Sequence, residues 1–437
     1  QNYLVRIDPE EHLGLDHTSI QHLHIGDLKW TIDGPSPPMS PSSYLIGYND
    51  SVSLTLKGVD ENRLDSLSFE TMISRSILER YVSLMTEFKR VIFCGPSGTG
   101  KTYLALKLAQ YMSDRLAKEG RQPKMSLFNV DHKSSKELRQ YLSSIAQDST
   151  AAAAAAATAE NGNSDNAFQD NVIILDNLHH VVSVADVFNG FISMGNQNSP
   201  YVIGTMNQVS SSSASTNLQL HHMFRWVLYS NHIKPVHGFL GRFLRRHLVE
   251  REVLEIDDEE ELKKMIDWIP QVWQHVNRLL EMHNSSEVTL GPQLYLSCPM
   301  ASQLIKLWFT DLWNYSIFPY IVEAIKEGIQ TYGCRAVWED PTDWIVRTCP
   351  WSSEASTQFL HLRPEDVGYD MTQQQHSLVT SNNNNASNNS INNNTGSAAF
   401  HNNINNNLYI NNCADDGSHS AKISNTDPLV GCEDFEI

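Results

Sequence analysis

The sequence is poor in positive charge: its 437 residues carry 32 lysines and arginines against 50 aspartates and glutamates, a net charge of −18. Such a surface repels phosphodiester backbones and anionic lipid, so generic nucleic-acid binding starts disfavoured. Cysteine is scarce, with six residues (Cys94, Cys298, Cys334, Cys349, Cys413, Cys432) and no CxxC spacing among them. That pattern gives no disulfide framework and no zinc site, and Cys94 inside an apolar run fits a reducing compartment. No run approaches the ~18 to 20 uninterrupted apolar residues of a membrane span, and QNYLVRIDPE lacks the charged-then-apolar order of a signal peptide. The expectation is a cytoplasmic protein. The sequence opens on Gln1 rather than Met, which points to a piece of a longer polypeptide.

What is present divides the chain into four parts, since this length exceeds one hydrophobic core. Residues 1–60 place the β-favouring runs YLVRI, YLIGY and SVSLTLKG around a Pro/Ser loop, a β-rich lead-in. Residues 61–256 alternate helical and strand patterns. Met72, Ile73, Ile77, Tyr81, Leu84 and Met85 predict a helix over 69–88, ahead of a buried strand Val91–Cys94. Leu104, Leu108, Tyr111, Met112 and Leu116 predict the next helix, stopped by Gly120. MSLFNV (125–130) reads as a strand, and Ser134 with Glu137 offers a capping box for a helix through Leu138, Tyr141, Leu142 and Ile145. VIILD (172–176) and YVIGT (201–205) are continuous apolar runs, as in strands covered on both faces of a parallel sheet. Their alternation with helices predicts an α/β layer fold.

A polyalanine stretch within 149–168 has no amphipathic face to pack and is expected to be a surface excursion. From 257 to 350 the stripes are helical: Leu262, Met265, Ile266, Ile269, Val272, Trp273, Val276, Leu279 and Leu280, then Leu304, Leu307, Trp308, Leu312 and Tyr315. Residues 351–437 turn to Asn, Ser and Gln and hold too little apolar area to offset backbone entropy, so a mostly disordered tail is expected.

Between strand and helix, Gly95, Pro96, Ser97, Gly98, Thr99, Gly100, Lys101 and Thr102 spell GPSGTGKT, which matches GxxxxGK[ST]. Glycines let such a loop curl so that backbone N–H groups face phosphate oxygens, and the following helix adds its positive end. Lys101 would neutralise the β and γ phosphates of an adenine nucleotide, and Thr102 would place its hydroxyl on Mg²⁺. Asp176, closing VIILD, is the expected second metal residue; capping the next helix is the alternative. Asn207, ending YVIGTMN, could orient water near the γ phosphate or simply form a turn. GFLGRFLRRHL supplies Arg242, Arg245 and Arg246, any of which could serve as an arginine finger across a ring of identical subunits or lie on a solvated helix face.

These residues point to a known group. GPSGTGKTYLALKLAQYM, VIILDNLHHVVSVADVFNGF, NLQLHHMFRWVLYSNHIKPVHGFLGRFLRRHL and WFTDLWNYSIFPYIVEAIKEG resemble the C-terminal AAA+ P-loop region of the neuron navigators, over residues 1–350 outside the insertion. The resemblance implies an ATP- and Mg²⁺-binding core with a C-terminal helical lid. It also implies a cytoplasmic protein of neuronal projections, associated with microtubules and actin and acting in axon guidance, neurite outgrowth and cell migration. Where most AAA+ ATPases carry a glutamate after the metal-binding aspartate, this chain has Asn177, so slow or absent hydrolysis is expected. In the lid, Gln293 stands where the family pattern has a phosphate-sensing arginine, and Arg335 is a substitute candidate.

Overall fold

A computed structural model describes residues 2–25, 28–31, 34–35, 52–130, 136–145, 147, 171–180, 188, 199–207, 224–254, 260–283, 289–333, 337–351 and 358–369. The polyalanine stretch, the capping Ser134, Arg335 and residues 370–437 of the expected 351–437 tail lie outside them, whereas Trp351, Phe359, Leu362, Val367 and Tyr369 of that expected tail are buried in the main core cluster.

The centre is a five-stranded parallel sheet of β4 (Arg90–Gly95), β5 (Met125–Asn129), β6 (Val172–Asp176), β7 (Tyr201–Asn207) and β8 (Arg225–Leu228), in the order β5-β6-β7-β4-β8. The strands at its middle are buried on both faces, as their unbroken apolar runs require. Val91, Phe93, Ile174 and Ile203 pack into one cluster with Leu104 and Leu108 of helix α4 (Lys101–Lys118). Ile92, Ile173, Leu175 and Val202 pack into another with Leu138 and Leu142, from helical residues 136–145, and Leu178.

The lead-in departs from expectation at its start. YLVRI is not a strand; it lies in helix α1 (Asn2–Ile7), which packs on the helix Phe239–Leu254 and buries Ile7 with Leu13, Met72 and Val249. Tertiary burial outweighs the weak β preference of Val and Ile. Strand pairing begins later, in a three-stranded antiparallel sheet of β1 (Ile20–Ile25), β2 (Leu28–Trp30) and β3 (Val52–Leu56), ordered β2-β1-β3.

The helix expected over 69–88 is two. α2 (Asp65–Thr71) ends at Met72 in the left-handed conformation, φ 56°, and α3 (Arg75–Phe88) restarts after Ser74. Side chains satisfy the break: the Arg242 guanidinium donates twice to the Met72 carbonyl, and Ser68 Oγ, from α2 itself, donates to the Ile73 carbonyl.

Beyond α5 (Phe239–Leu254) stand α6 (Glu260–His283), α7 (Ser302–Leu312), a π turn Trp313–Ile317, α8 (Phe318–Tyr332) and α9 (Pro341–Thr348). Every α6 residue of the expected stripe is buried. Along α7 and the π turn the expected stripe is only half right. Trp308 and Leu312 pack partly buried against the core, but Ile305, Phe309, Trp313 and Ile317 are the residues fully buried, whereas Leu304, Leu307 and Tyr315 lie in solvent, 56%, 63% and 79% exposed. The apolar residues of α7 wrap more than half its circumference, so periodicity does not choose between its faces.

Candidate nucleotide site

Three strand ends converge. Gly95 pairs with Asn207 in register, and Asp176 follows the Leu175–Gly204 pair. The segment 95–102 leaves β4 here and enters α4. Gly98 and Gly100 hold φ at 73° and 90°, the left-handed region that favours glycine. Gly95 is required for a different reason: a Cβ there would sit 1.9 Å from the Tyr229 carbonyl oxygen, so main chain presses directly on the start of the loop.

Lys101, the first residue of α4, is 6% exposed and turns into the loop. Its ammonium donates to the Gly95 carbonyl at 3.0 Å, the Pro96 carbonyl at 2.5 Å and Thr99 Oγ1 at 3.4 Å. Burial pushes its pKa down to about 8, against the opposing pull of Cys94 and Asp176. Asp176 is 7% exposed and accepts from Thr102 Oγ1 at 2.8 Å and, through the same Oδ1, from Thr205 Oγ1. The hydroxyl and the carboxylate expected to serve Mg²⁺ are therefore in contact, and hard oxygen donors beside a glycine cradle and a buried lysine fit a magnesium triphosphate. Bound there, the metal would supply neutralisation of phosphate charge.

Asn177 takes the left-handed conformation, φ 63°, which Asn tolerates better than Glu. Its N–H donates to Thr205 Oγ1 at 3.2 Å and its Nδ2 to Asn129 Oδ1 at 3.4 Å. Asn207 meets His179: the backbone N–H of Asn207 donates to Nδ1 at 3.4 Å, and its side-chain Nδ2 lies 3.3 Å from Nε2. Thr205, Asn129 and His179 carried no signal in the sequence, because their partners lie 28 to 48 residues away in the chain.

The helical part reaches the loop through main chain. The Gln293 N–H donates to the Gly98 carbonyl at 3.2 Å. At Gly291 a Cβ would lie 2.2 Å from the Gly98 carbonyl carbon and 2.4 Å from the Ser97 oxygen, so only glycine permits the approach. Leu290 is fixed just before it. Its carbonyl accepts from Trp273 Nε1 at 2.7 Å and from the side-chain amides of Asn277 and Asn231, each at 3.0 Å, and its N–H donates to Asn277 Oδ1 at 2.7 Å. Gln293 thus stands at the loop.

The arginines separate. Arg242 is 6% exposed and committed to the Met72 carbonyl, so it braces the α2–α3 break and does not project toward a neighbour; the finger expectation for it is revised on that ground. Arg246 pairs with Glu250 at 2.8 Å and lies over the Phe69 ring at 4.6 Å. Arg245, paired with Asp267 at 3.0 Å, keeps about a third of its side chain exposed.

Residues 91–237 match the family model described as ATPase family associated with various cellular activities (AAA), and residues 249–363 match the one described as NAV1-like, AAA+ ATPase lid domain. Neuron navigator 2 of Homo sapiens is 51% identical over 376 residues, covering 85% of this chain and 14% of that protein. Protein sickie of Drosophila melanogaster is 46% identical over 374 residues, covering 85% and 16%. The chain spans about a seventh of the length of these relatives. Among solved structures, Thermotoga maritima RuvB aligns at 13% identity and a TM-score of 0.34, over 73% of this chain and 91% of that one. Parallel sheet, phosphate-loop sequence and helical lid together make an AAA+ P-loop fold, and the chain belongs to the neuron navigator family, of which it carries the AAA+ region.

Proposed function

We propose that this module binds ATP with Mg²⁺ between the loop 95–102 and the lid, and that the nucleotide acts chiefly as a conformational and oligomerisation switch with slow or no turnover. Its setting would be a cytoskeleton-associated navigator protein of axon guidance, neurite outgrowth and cell migration. The observation that carries the reading is the seat of Gly291–Gln293 on Ser97 and Gly98, because a ligand in that loop must be felt by the lid. Thr102 and Asp176 would hold the metal, Lys101 the phosphates, and Asn207 the γ phosphate. Asn177, an amide where a carboxylate base would stand, supports weak hydrolysis, since general-base help is worth about 10² to 10⁴ in rate. Arg245 is the arginine left to reach a neighbouring subunit.

Lys101→Ala should abolish ATP binding by calorimetry and any nucleotide-dependent change in particle mass; unchanged ATP affinity in that variant rejects the reading. The second reading is a working AAA+ motor on a protein or filament partner, favoured by the contact of Thr102 with Asp176. Turnover of about 1 per second or more, lost in Asp176→Asn, would support it, whereas tight binding without turnover supports the switch.

A further inference from the structure

We propose that Thr205 is a positioning residue that sets the Asp176 carboxylate for the metal ion of Mg·ATP, an inference that rests on the ATP-binding reading above. Two hydroxyls meet on one oxygen of that carboxylate. Thr102 Oγ1, from the start of α4, and Thr205 Oγ1, from β7, both donate to Asp176 Oδ1. The groups are chemically alike, but their surroundings give them different roles. A hydroxyl holds one proton and two lone pairs. Thr102 is only partly buried; it gives its proton to Asp176 and leaves its lone pairs to a cation. Thr205 is 0% exposed, and its oxygen also accepts the Asn177 N–H at 3.2 Å, so its one proton is committed to Asp176 and the group is closed off from any ligand.

The last torsion of an aspartate is broad, so a carboxylate at a strand end can present its oxygens in many directions. Donors from two different elements remove that freedom here. One of them must also serve the metal. The other, on the strand paired with β6, serves the carboxylate alone. The same Thr205 oxygen holds the N–H of the αL turn at Asn177, so a single hydroxyl fixes both the end of β6 and the direction of its carboxylate. Outer partners of this kind orient a metal ligand, and their loss typically costs about 10- to 100-fold in metal affinity. Valine has the same shape as threonine, but at position 205 it would leave Asp176 Oδ1 with Thr102, the donor that the metal also claims.

The test is the factor by which Mg²⁺ tightens ATP binding, measured by calorimetry on the full chain as the ratio of dissociation constants in EDTA and in excess Mg²⁺. Thr205→Val keeps the side-chain shape and removes the hydroxyl. It should cut that factor about tenfold, with metal-free ATP affinity unchanged. Thr205→Ser, which restores the hydroxyl, should keep the wild-type factor. In an Asp176→Ala background the valine should bring no further loss, because the threonine acts only through the carboxylate. A wild-type factor in Thr205→Val, an equal loss with and without Mg²⁺, a serine variant no better than the valine one, or losses that multiply in the double variant would overturn the proposal. If Thr205→Val lacks a cooperative thermal transition, Thr205→Ala is read in the same way. A wild-type chain that binds ATP equally with and without Mg²⁺ overturns the positioning role and leaves ATP binding intact, whereas a chain that binds no ATP sinks both.

Discussion

At the scale of single residues, Lys101 ties the site to pH. Its pKa is pushed down to about 8 by burial, while a bound triphosphate would keep it protonated. Below that pH the ammonium is already charged and affinity is flat in this respect. Above it, binding must take up a proton, so the dissociation constant for Mg·ATP should rise by up to about tenfold per pH unit. Calorimetry from about pH 7.5 to 9.5 in buffers of different ionisation enthalpy would show both the weakening and the proton uptake, and a flat profile would remove Lys101 from phosphate contact. Residues of this kind were legible because the chemistry lies in one short string: GPSGTGKT and the terminal Asp176 of VIILD announce themselves. Thr205 and His179 did not, since each matters through a partner that only the β6–β7 adjacency brings near. Arg242 misled for the same reason: a basic cluster reads as surface until Met72, 170 residues away, claims one member.

Elements follow a similar rule. The parallel sheet was readable from strands with no polar break, and the α6 stripe from its length. α1 was not, because six residues carry little periodicity and their fate is set by the α5 surface they cover. Nor was the α2–α3 break, where Met72 keeps the helical phase while its backbone leaves it. The contact of greatest mechanical interest, Gly291 on the phosphate loop, is invisible in sequence because glycine announces only freedom. Gly291→Ala tests it. The added methyl group overlaps Gly98 and Ser97, so the lid segment must lift. Mg·ATP affinity should fall at least tenfold while the sheet core remains folded. Hydrogen exchange at the Gln293 amide, which donates to Gly98, should rise sharply in the variant. Unchanged exchange there would show that the loop yields instead.

For the whole molecule, the lead-in is bonded into the core rather than appended to it. Ser19 Oγ donates to the buried Asp65 at 2.9 Å, which Arg63 and Arg75 also engage, and Ile7 and Leu13 share a cluster with Met72 and Val249. A chain starting at Gly58 forfeits the burial of Ile7 and Leu13, about 3 to 6 kcal/mol at 1.5 to 3 per side chain, and should unfold at a clearly lower urea midpoint. An unchanged midpoint would mean that these contacts contribute nothing to the core. The meeting of Gly95 with the Tyr229 carbonyl has its own evolutionary meaning. Peptide backbone touches peptide backbone there, so at the contact itself heredity constrains the glycine alone, while the Tyr229 side chain answers to a separate demand, burial at 4% exposure edge-on to Phe93.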